Sequence, residues 1–286
     1  MKTLKKILAR IWHPVHVIER WMAGQNVLSV PVLCYHSVSE AVDADVDPMP
    51  VERFRQHMEH IAKHHNPVRL IDMPDYLSGE KILPENPVVV TFDDGYLDNY
   101  QNAWPILKSL NIPATIFLVS GFMDGRTRLY GAEKWVPMTW DHAREMQRDG
   151  LIDFGAHTDG HPILSGISDD TAKEEIEKSI RIIGEKLGMD PEKIPFAYPF
   201  GQGMHVPPLA PSLLRGMGVP VAVSTIWRTL HHPRECHFMN RVMIYSTDDV
   251  ATLRLKLAGG YDFLYYWQKL RAFVFATIWG KGIWHG

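Results

Sequence analysis

Val88-Val89-Val90-Thr91-Phe92-Asp93-Asp94-Gly95-Tyr96 decides the fold. Three β-branched residues behind Pro87 predict a buried strand, and two adjacent carboxylates followed by glycine fall where that strand must end. Like charges a few ångströms apart raise each other's proton affinity, so such a pair needs a cation or a hydrogen-bond donor beside it. Further on, His157-Thr158-Asp159-Gly160-His161 follows another short apolar strand, Ile152 to Ala156, and offers two imidazoles four positions apart. One carboxylate with two histidines makes a three-ligand metal site with positions left for water and substrate. That is the pattern of a hydrolytic centre rather than a closed structural one.

Two more runs belong to the same series: Phe196-Ala197-Tyr198-Pro199-Phe200-Gly201, which leaves another strand, and Val32-Leu33-Cys34-Tyr35-His36-Ser37-Val38, which opens the first. Together the four runs resemble the motifs of the polysaccharide deacetylases, the carbohydrate esterase family 4 group with the NodB-homology domain. The opening run is similar to that of the branch acting on poly-N-acetylglucosamine. The motifs stand in the family's order between Pro31 and Ile244.

The resemblance implies an α/β fold, a distorted (β/α)7 barrel of the NodB-homology type. It implies a divalent metal held by Asp94, His157 and His161, with Asp93 as general base. The acid that protonates the leaving amine is expected to be His36, because that branch uses a histidine on the first strand. The family's commoner late L-x-x-H motif has no clear copy here; His232, beside Leu230 and His231, is the reserve. The third motif carries Ala197 where the family has arginine, and Arg241 is the expected substitute for orienting Asp93. The Phe200 N–H is expected to face the tetrahedral oxyanion, with Tyr96, Tyr198 and Pro199 completing the substrate side. Oxygen and imidazole donors suit zinc, the leading choice, or cobalt, nickel or iron.

Composition narrows the alternatives. With 286 residues, 45% of them hydrophobic, the chain can bury a full barrel core. A formal charge of −3 supplies no basic field for nucleic acid, which is excluded as a partner. The two cysteines, Cys34 and Cys236, lack C-x-x-C spacing and make neither a disulfide framework nor a zinc knuckle. His57, His60 and His64 share one side of a helix expected over 51–65, where a polar exposed face explains them without a metal.

Taken in order, the chain alternates strand and helix, the signature of parallel βα units. Strands are expected at 30–35, 68–71, 88–92, 114–119, 152–156, 196–198, 219–224 and 239–244. Helices are expected at 98–110, kinked near Pro105, at 139–150 with Thr139 as cap, at 169–187 before Gly188, and at 209–218. Polar loops are expected at 77–86 and 227–237. The long 121–136 loop has the length of a lid or binding element.

Both ends differ from this middle. Residues 1–26 interleave Lys2, Lys5, Lys6 and Arg10 with Leu4, Ile7, Leu8, Ile11 and Trp12 at helical spacing, a basic amphipathic helix. Residues 251–286 crowd Tyr261, Phe263, Tyr265, Tyr266, Trp267, Phe273, Phe275, Trp279 and Trp284 among scattered cations. Neither has the ~20 apolar residues that span a bilayer. Aromatics mixed with cations favour the membrane interface; docking on the barrel is the alternative for the first segment, and closing the barrel bottom or a dimer contact is the alternative for the second. A three-part organisation follows: a basic amphipathic segment over 1–26, the deacetylase barrel over 27–250, and an aromatic segment over 251–286.

The expected function is a metal-dependent hydrolase removing an acetyl or formyl group from an amino sugar. No secretion signal is recognisable, so the sugar is expected on a polyprenyl carrier, with the protein cytoplasmic and peripheral on the inner membrane face. A non-catalytic sugar or lipid-head-group binder and an O-acetyl esterase on the same fold are the rivals.

Overall fold

The computed structural model describes residues 2–23, 27–129 and 135–279. Seven parallel strands form the frame: β1 Val32–Tyr35, β2 Pro87–Phe92, β3 Ala114–Leu118, β4 Ile152–Ala156, β5 Phe196–Ala197, β6 Ala222–Val223 and β7 Val242–Met243. They lie side by side in the order β7-β1-β2-β3-β4-β5-β6. The chain entering β7 bonds along β6, with Ala222 N–H donating to Cys236 O and Ser224 N–H to Met239 O. The sheet thus curls round on itself into the distorted (β/α)7 barrel.

Period-two alternation decides what each strand does. Leu33, Tyr35, Val88, Val90, Phe92, Ile116 and Leu118 point outward into a core shared with the helices. Val32, Val89, Phe117, Ala197 and Val223 point inward and fill the lower barrel. The inward positions one step further up are polar: Cys34, Thr91 and Asp93, all buried. The same strands therefore deliver an apolar floor and a polar rim, and the rim lies at their C-terminal ends.

Five helices matter for the site: α1 Lys2–Ala23, α2 Val51–His64, α3 Asp169–Leu187, α4 Val250–Leu257 and α5 Phe263–Trp279. In α3 the Ser168 hydroxyl caps Thr171 N–H, Ile176, Ile180 and Ile183 face the core, and Gly188 stops the helix in a left-handed conformation. The buried His57 of α2 bonds the Tyr35 hydroxyl and Asp248 O, a structural role.

Some elements differ from expectation. The 98–110 helix opens with a π turn, Asn99–Ala103, before the helix Trp104–Ser109; Pro105 lacks an N–H, and the wider turn absorbs the defect. The strand expected over 68–71 is Asn66–Pro67, followed by a 3₁₀ turn at Leu70–Asp72 and a helix, Met73–Ser78, that reaches into the expected 77–86 loop. Leu70, Met73 and Leu77 repeat at helical spacing and join the barrel floor. The 121–136 loop begins with a helical turn, Ser120–Met123; its residues 130–134 lie outside the described residues. The expected polar loop 227–237 contains a strand, Leu230–His231, paired with Leu28–Ser29.

The two ends meet. Gly259 and Gly260 let α1 approach closely: a Cβ on Gly260 would stand 2.8 Å from Ala9 O, and one on Gly259 would strike the His16 ring. Trp12 packs on Phe263 and Tyr266, His16 faces Asp262 at 3.2 Å, and Arg228 pairs with Glu19. The side chains of Phe273, Phe275, Trp279 and Trp284 lie outside the described residues.

Candidate active site

Each acidic or imidazole group of the rim is placed by a strand end. Asp93 continues β2, its N–H donating to Tyr35 O. Asp94 then adopts φ 75° and Gly95 φ 76°, so the chain turns sharply and both acids are held inside. Holding a non-glycine residue there costs on the order of 1 kcal/mol, a strain that clusters at functional sites. His157 follows β4, and its Nδ1 lies 2.7 Å from Ala197 O. Thr158 and His161 also have positive φ, and Thr158 Oγ1 accepts from His161 N–H.

The turn between the histidines is clamped from outside. Asp159 accepts from Ser120 and from Arg126, and pairs with Lys178 at 2.7 Å. The Glu175 carboxylate of α3 accepts from the N–H groups of Asp159 and Gly160.

Asp94 Oδ1 lies 3.8 Å from His157 Nε2 and 3.6 Å from His161 Nε2. Donor atoms of the three residues all fall within 4.8 Å of one another. Burial pushes the Asp94 carboxyl up, with His36 and His157 opposing. Burial also lowers both imidazoles to about 4, against the pull of Asp93, so they are neutral at pH 7. Both Asp94 oxygens are buried, yet neither makes a hydrogen bond of normal geometry; Tyr96, packed on Phe122 and Trp135, adds a downward pull that ranks below those of His36 and His157. A buried carboxylate without a full partner, facing two neutral imidazoles, fits a divalent cation.

Asp93 is placed differently. Arg241, fully buried, donates from its two terminal nitrogens to Oδ1 and Oδ2 at 2.6 and 2.7 Å. Its Nε donates to Ser224 O and one terminal nitrogen also to Thr91 Oγ1, so the guanidinium is fixed on three sides, while its backbone N–H donates to Ile226 O. Burial alone would raise the Asp93 pKa, but Arg241 and then His157 hold the carboxyl well below the usual range. Cys34 adds a weak contact, Sγ to Oδ2 at 3.4 Å.

A cleft of about 220 Å³ opens over these groups. His36, Asp93, His157, His161 and Phe200 line it. His36 has a ligating atom within 4.8 Å of Asp93, and it is half-buried. Phe200 has φ 58°, packs its ring 5.0 Å from His161, and has a backbone N–H without a hydrogen bond among the described residues. The other expected residues fall outside the lining. Tyr198 turns into the core and donates to His237 O, Pro199 is buried beneath the turn, and Arg241 acts on Asp93 from behind. His232 is corrected outright: it is exposed and caps a 3₁₀ turn next to Leu230–His231, whose partner strand precedes β1, at the opposite end of the barrel.

Residues with no local chemical signature complete the cleft, among them Thr225, Trp227, Tyr245 and Gln268. Gln268 belongs to α5; its Oε1 accepts from Trp227 N–H at 2.9 Å. An aromatic-rich tail therefore contributes a wall of the site.

Known proteins resemble this chain in sequence and in fold. Residues 80–213 match the family model described as polysaccharide deacetylase. Among relatives, the Bacillus subtilis protein named "Putative polysaccharide deacetylase YxkH" is 29% identical over 185 residues, covering 64% of this chain and 60% of its own length. The poly-beta-1,6-N-acetyl-D-glucosamine N-deacetylase of Staphylococcus epidermidis is 32% identical over 126 residues, covering 41% of this chain and 42% of that protein. This chain thus spans less than two thirds of the length of these two relatives. Among solved structures, IcaB from Ammonifex degensii is 26% identical with a TM-score of 0.66, covering 81% of this chain and 97% of that one. Streptococcus pyogenes deacetylase PplD shares the fold at 20% identity and a TM-score of 0.69, covering 80% and 98%.

Proposed function

We propose that this chain is a metal-dependent hydrolase that removes an N-acetyl group from an amino sugar at a membrane surface. The observation that carries the chemistry is Asp94, buried with both oxygens lacking a proper donor and facing His157 and His161, beside an Asp93 kept ionised by Arg241. Zinc is the leading choice of metal, with cobalt, nickel and iron as alternatives. Bound by Asp94, His157 and His161, it would supply Lewis acidity towards the amide carbonyl and the hydrolytic water.

The chain's own residues account for the rest. Asp93 is ionised across the working pH range and oriented by two charge-assisted hydrogen bonds, so it takes the proton from the attacking water. His36, across the cleft, returns a proton to the departing amine. The Phe200 N–H, on a residue that lines the cleft and without a hydrogen bond among the described residues, would be available to the developing oxyanion. A formyl group would be handled by the same chemistry. The relatives named for N-deacetylation of an N-acetylglucosamine polymer support an N-acetylhexosamine as the sugar.

The membrane part rests on α1. Leu4, Leu8, Ile11, Val15, Ile18 and Met22 recur at alternating steps of three and four and are all exposed, while Ala9 and His16 on the opposite side are buried. No helix among the described residues is long and apolar enough to cross a membrane. The apolar stripe, with Trp21 and flanking Arg10 and Arg20, suits the surface of an anionic bilayer. Residues 1–26 and 251–286 then act as one membrane-facing unit on the barrel of 27–250, and a polyprenyl-linked amino sugar is the substrate that such a unit would reach.

Acetate release from N-acetylhexosamines, compared between the parent and Asp93→Asn with metal content measured in both, tests the chemistry. Release by the parent and its loss in a variant that keeps its metal supports the assignment; release undiminished in the variant rejects Asp93 as base.

A further inference from the structure

Trp227 and Tyr245 have two sides. One lines the catalytic cleft; the other lines a second cavity of about 380 Å³, roofed by Lys5 and Lys6 of α1. At its wall lies Lys256, 1% exposed, with its ammonium 5.0 Å from the Trp227 ring, 4.9 Å from Tyr245 and 5.5 Å from Tyr261.

The charges around this cavity are not all spent. Lys256 pairs with Asp248 and donates to Met243 O at 2.7 Å. Lys6 pairs with Asp249 at 3.1 Å. Lys5 makes no ion pair among the described residues. The acids of the lining are already engaged: Asp47 accepts from Ser246 N–H and Oγ, and Asp248 from Lys256 and Tyr245 N–H. Burial lowers the Lys256 pKa, Asp248 opposes, and Lys5 adds to the lowering, so two ammonium groups feel each other across the space.

We propose that this second cavity is an anion subsite that holds a phosphate ester carried by the amino-sugar substrate, with Lys5 as its principal cation. The assignment rests on reading the chain as an amino-sugar hydrolase and names the group next to the sugar. A neutral neighbouring sugar would stack on aromatic faces, but all three aromatic residues of the lining already pack against the Lys256 ammonium. The free cation at the roof favours an anion instead. Placement agrees: α1 turns Lys5 towards the cavity and exposes Leu4, Leu8 and Ile11 on its other side. A glycosyl phosphate in the cavity would leave its lipid chain beside that apolar stripe, with the sugar past Trp227 in the cleft.

The test uses the full chain without metal and inorganic pyrophosphate as probe, with binding followed by calorimetry. Lys5→Glu, an exposed change on a helix surface, is expected to weaken binding at least tenfold, about one charge-assisted hydrogen bond. Arg10→Glu, on α1 but away from the cavity, is expected to leave it unchanged. Equal binding by the parent and Lys5→Glu overturns the subsite. With metal restored, the preference for N-acetylglucosamine 1-phosphate over its methyl glycoside is expected to fall roughly tenfold in Lys5→Glu. If that preference is unchanged and only association with phosphatidylglycerol vesicles drops, the anion is a lipid head group and the substrate assignment is overturned. Failure of the parent to hydrolyse any amino sugar would reject the hydrolase reading, while the pyrophosphate result would still decide the subsite.

Discussion

Arg241 and Asp93 stand 148 residues apart in the chain and meet side-on, two guanidinium nitrogens on two carboxylate oxygens, with neither residue more than 2% exposed. Breaking such a pair from one side leaves a buried charge without compensation, which costs about 3–5 kcal/mol. Arg241→Met is therefore expected to lower the melting temperature strongly and to abolish turnover. Asp93→Asn combined with Arg241→Met removes both charges and is expected to regain much of the stability and none of the activity. Thermal unfolding and acetate release on the four proteins of this cycle check both statements. A double variant no more stable than Arg241→Met would show that the pair's geometry, not its charge, supports the fold.

The Asp94 carboxylate leads to a second prediction. Its oxygens lack proper donors, and the facing imidazoles are neutral. A cation bound there relieves the buried charge, so divalent zinc at 100 times its dissociation constant should stabilise the protein by about 2.7 kcal/mol. Asp94→Asn should abolish that response. Without metal the variant should be as stable as the parent or more so, because a buried anion has gone. Melting curves with and without chelator decide the matter, and a metal response intact in Asp94→Asn would move the site elsewhere.

What the sequence conveys about this protein is uneven, for a physical reason. Asp93, Asp94, His157 and His161 are legible because each follows a short β-branched or apolar run, and strand ends in a parallel barrel converge. Arg241 carries no such local mark; only the gap left by Ala197 in the third motif points to a cation from elsewhere. Gln268 reaches the cleft through tertiary packing of the tail, and Tyr245 from the turn after β7, neither of which periodicity encodes. The Met73–Ser78 helix was hidden behind Pro74 and short length, though the 70, 73, 77 spacing of apolar residues was there to be counted. His232 misleads because adjacency to a motif-like leucine says nothing about which end of the barrel a strand serves.

The pH dependence of stability has a definite sign. His57 is buried against Tyr35 and Asp248 O; burial lowers its pKa to about 4, with the Asp248 carbonyl opposing. Its unfolded value is near 6.5. Between those values the unfolded chain binds a proton that the folded chain does not, so stability falls as pH drops through this window. The loss is about 1.4 kcal/mol per pH unit for each such group. His157 and His161 act in the same direction when no metal is bound. Metal-free protein should therefore lose stability steeply from pH 6.5 to 4. His57→Gln should flatten that slope by at most about 1.4 kcal/mol per pH unit, its own share beside those of the rim histidines and of His60, His65, His205, His231 and His237, whose pKa values burial also lowers. Urea titrations at half-unit pH steps measure the slope directly, and an unchanged slope would place the acid sensitivity in histidines other than His57.

Gln268 tests whether the tail belongs to the site. Its Oε1 holds Trp227 N–H, and the same loop offers Ile226 O to the Arg241 backbone N–H, so the tail helix, the cleft wall and the base-orienting arginine form one connected path. Gln268→Ala removes a half-buried hydrogen bond of about 1 kcal/mol and frees the 225–227 loop. A modest loss of stability should accompany a larger loss of kcat/KM, roughly tenfold or more, because misplaced loop atoms disturb Asp93 through Arg241. Gln268→Glu keeps the acceptor for Trp227 N–H and is expected to retain most of the activity. If alanine and glutamate variants lose activity equally, the amide N–H₂ rather than the clip on Trp227 is what the cleft uses. If neither loses any, the tail serves the membrane surface and leaves catalysis to the barrel.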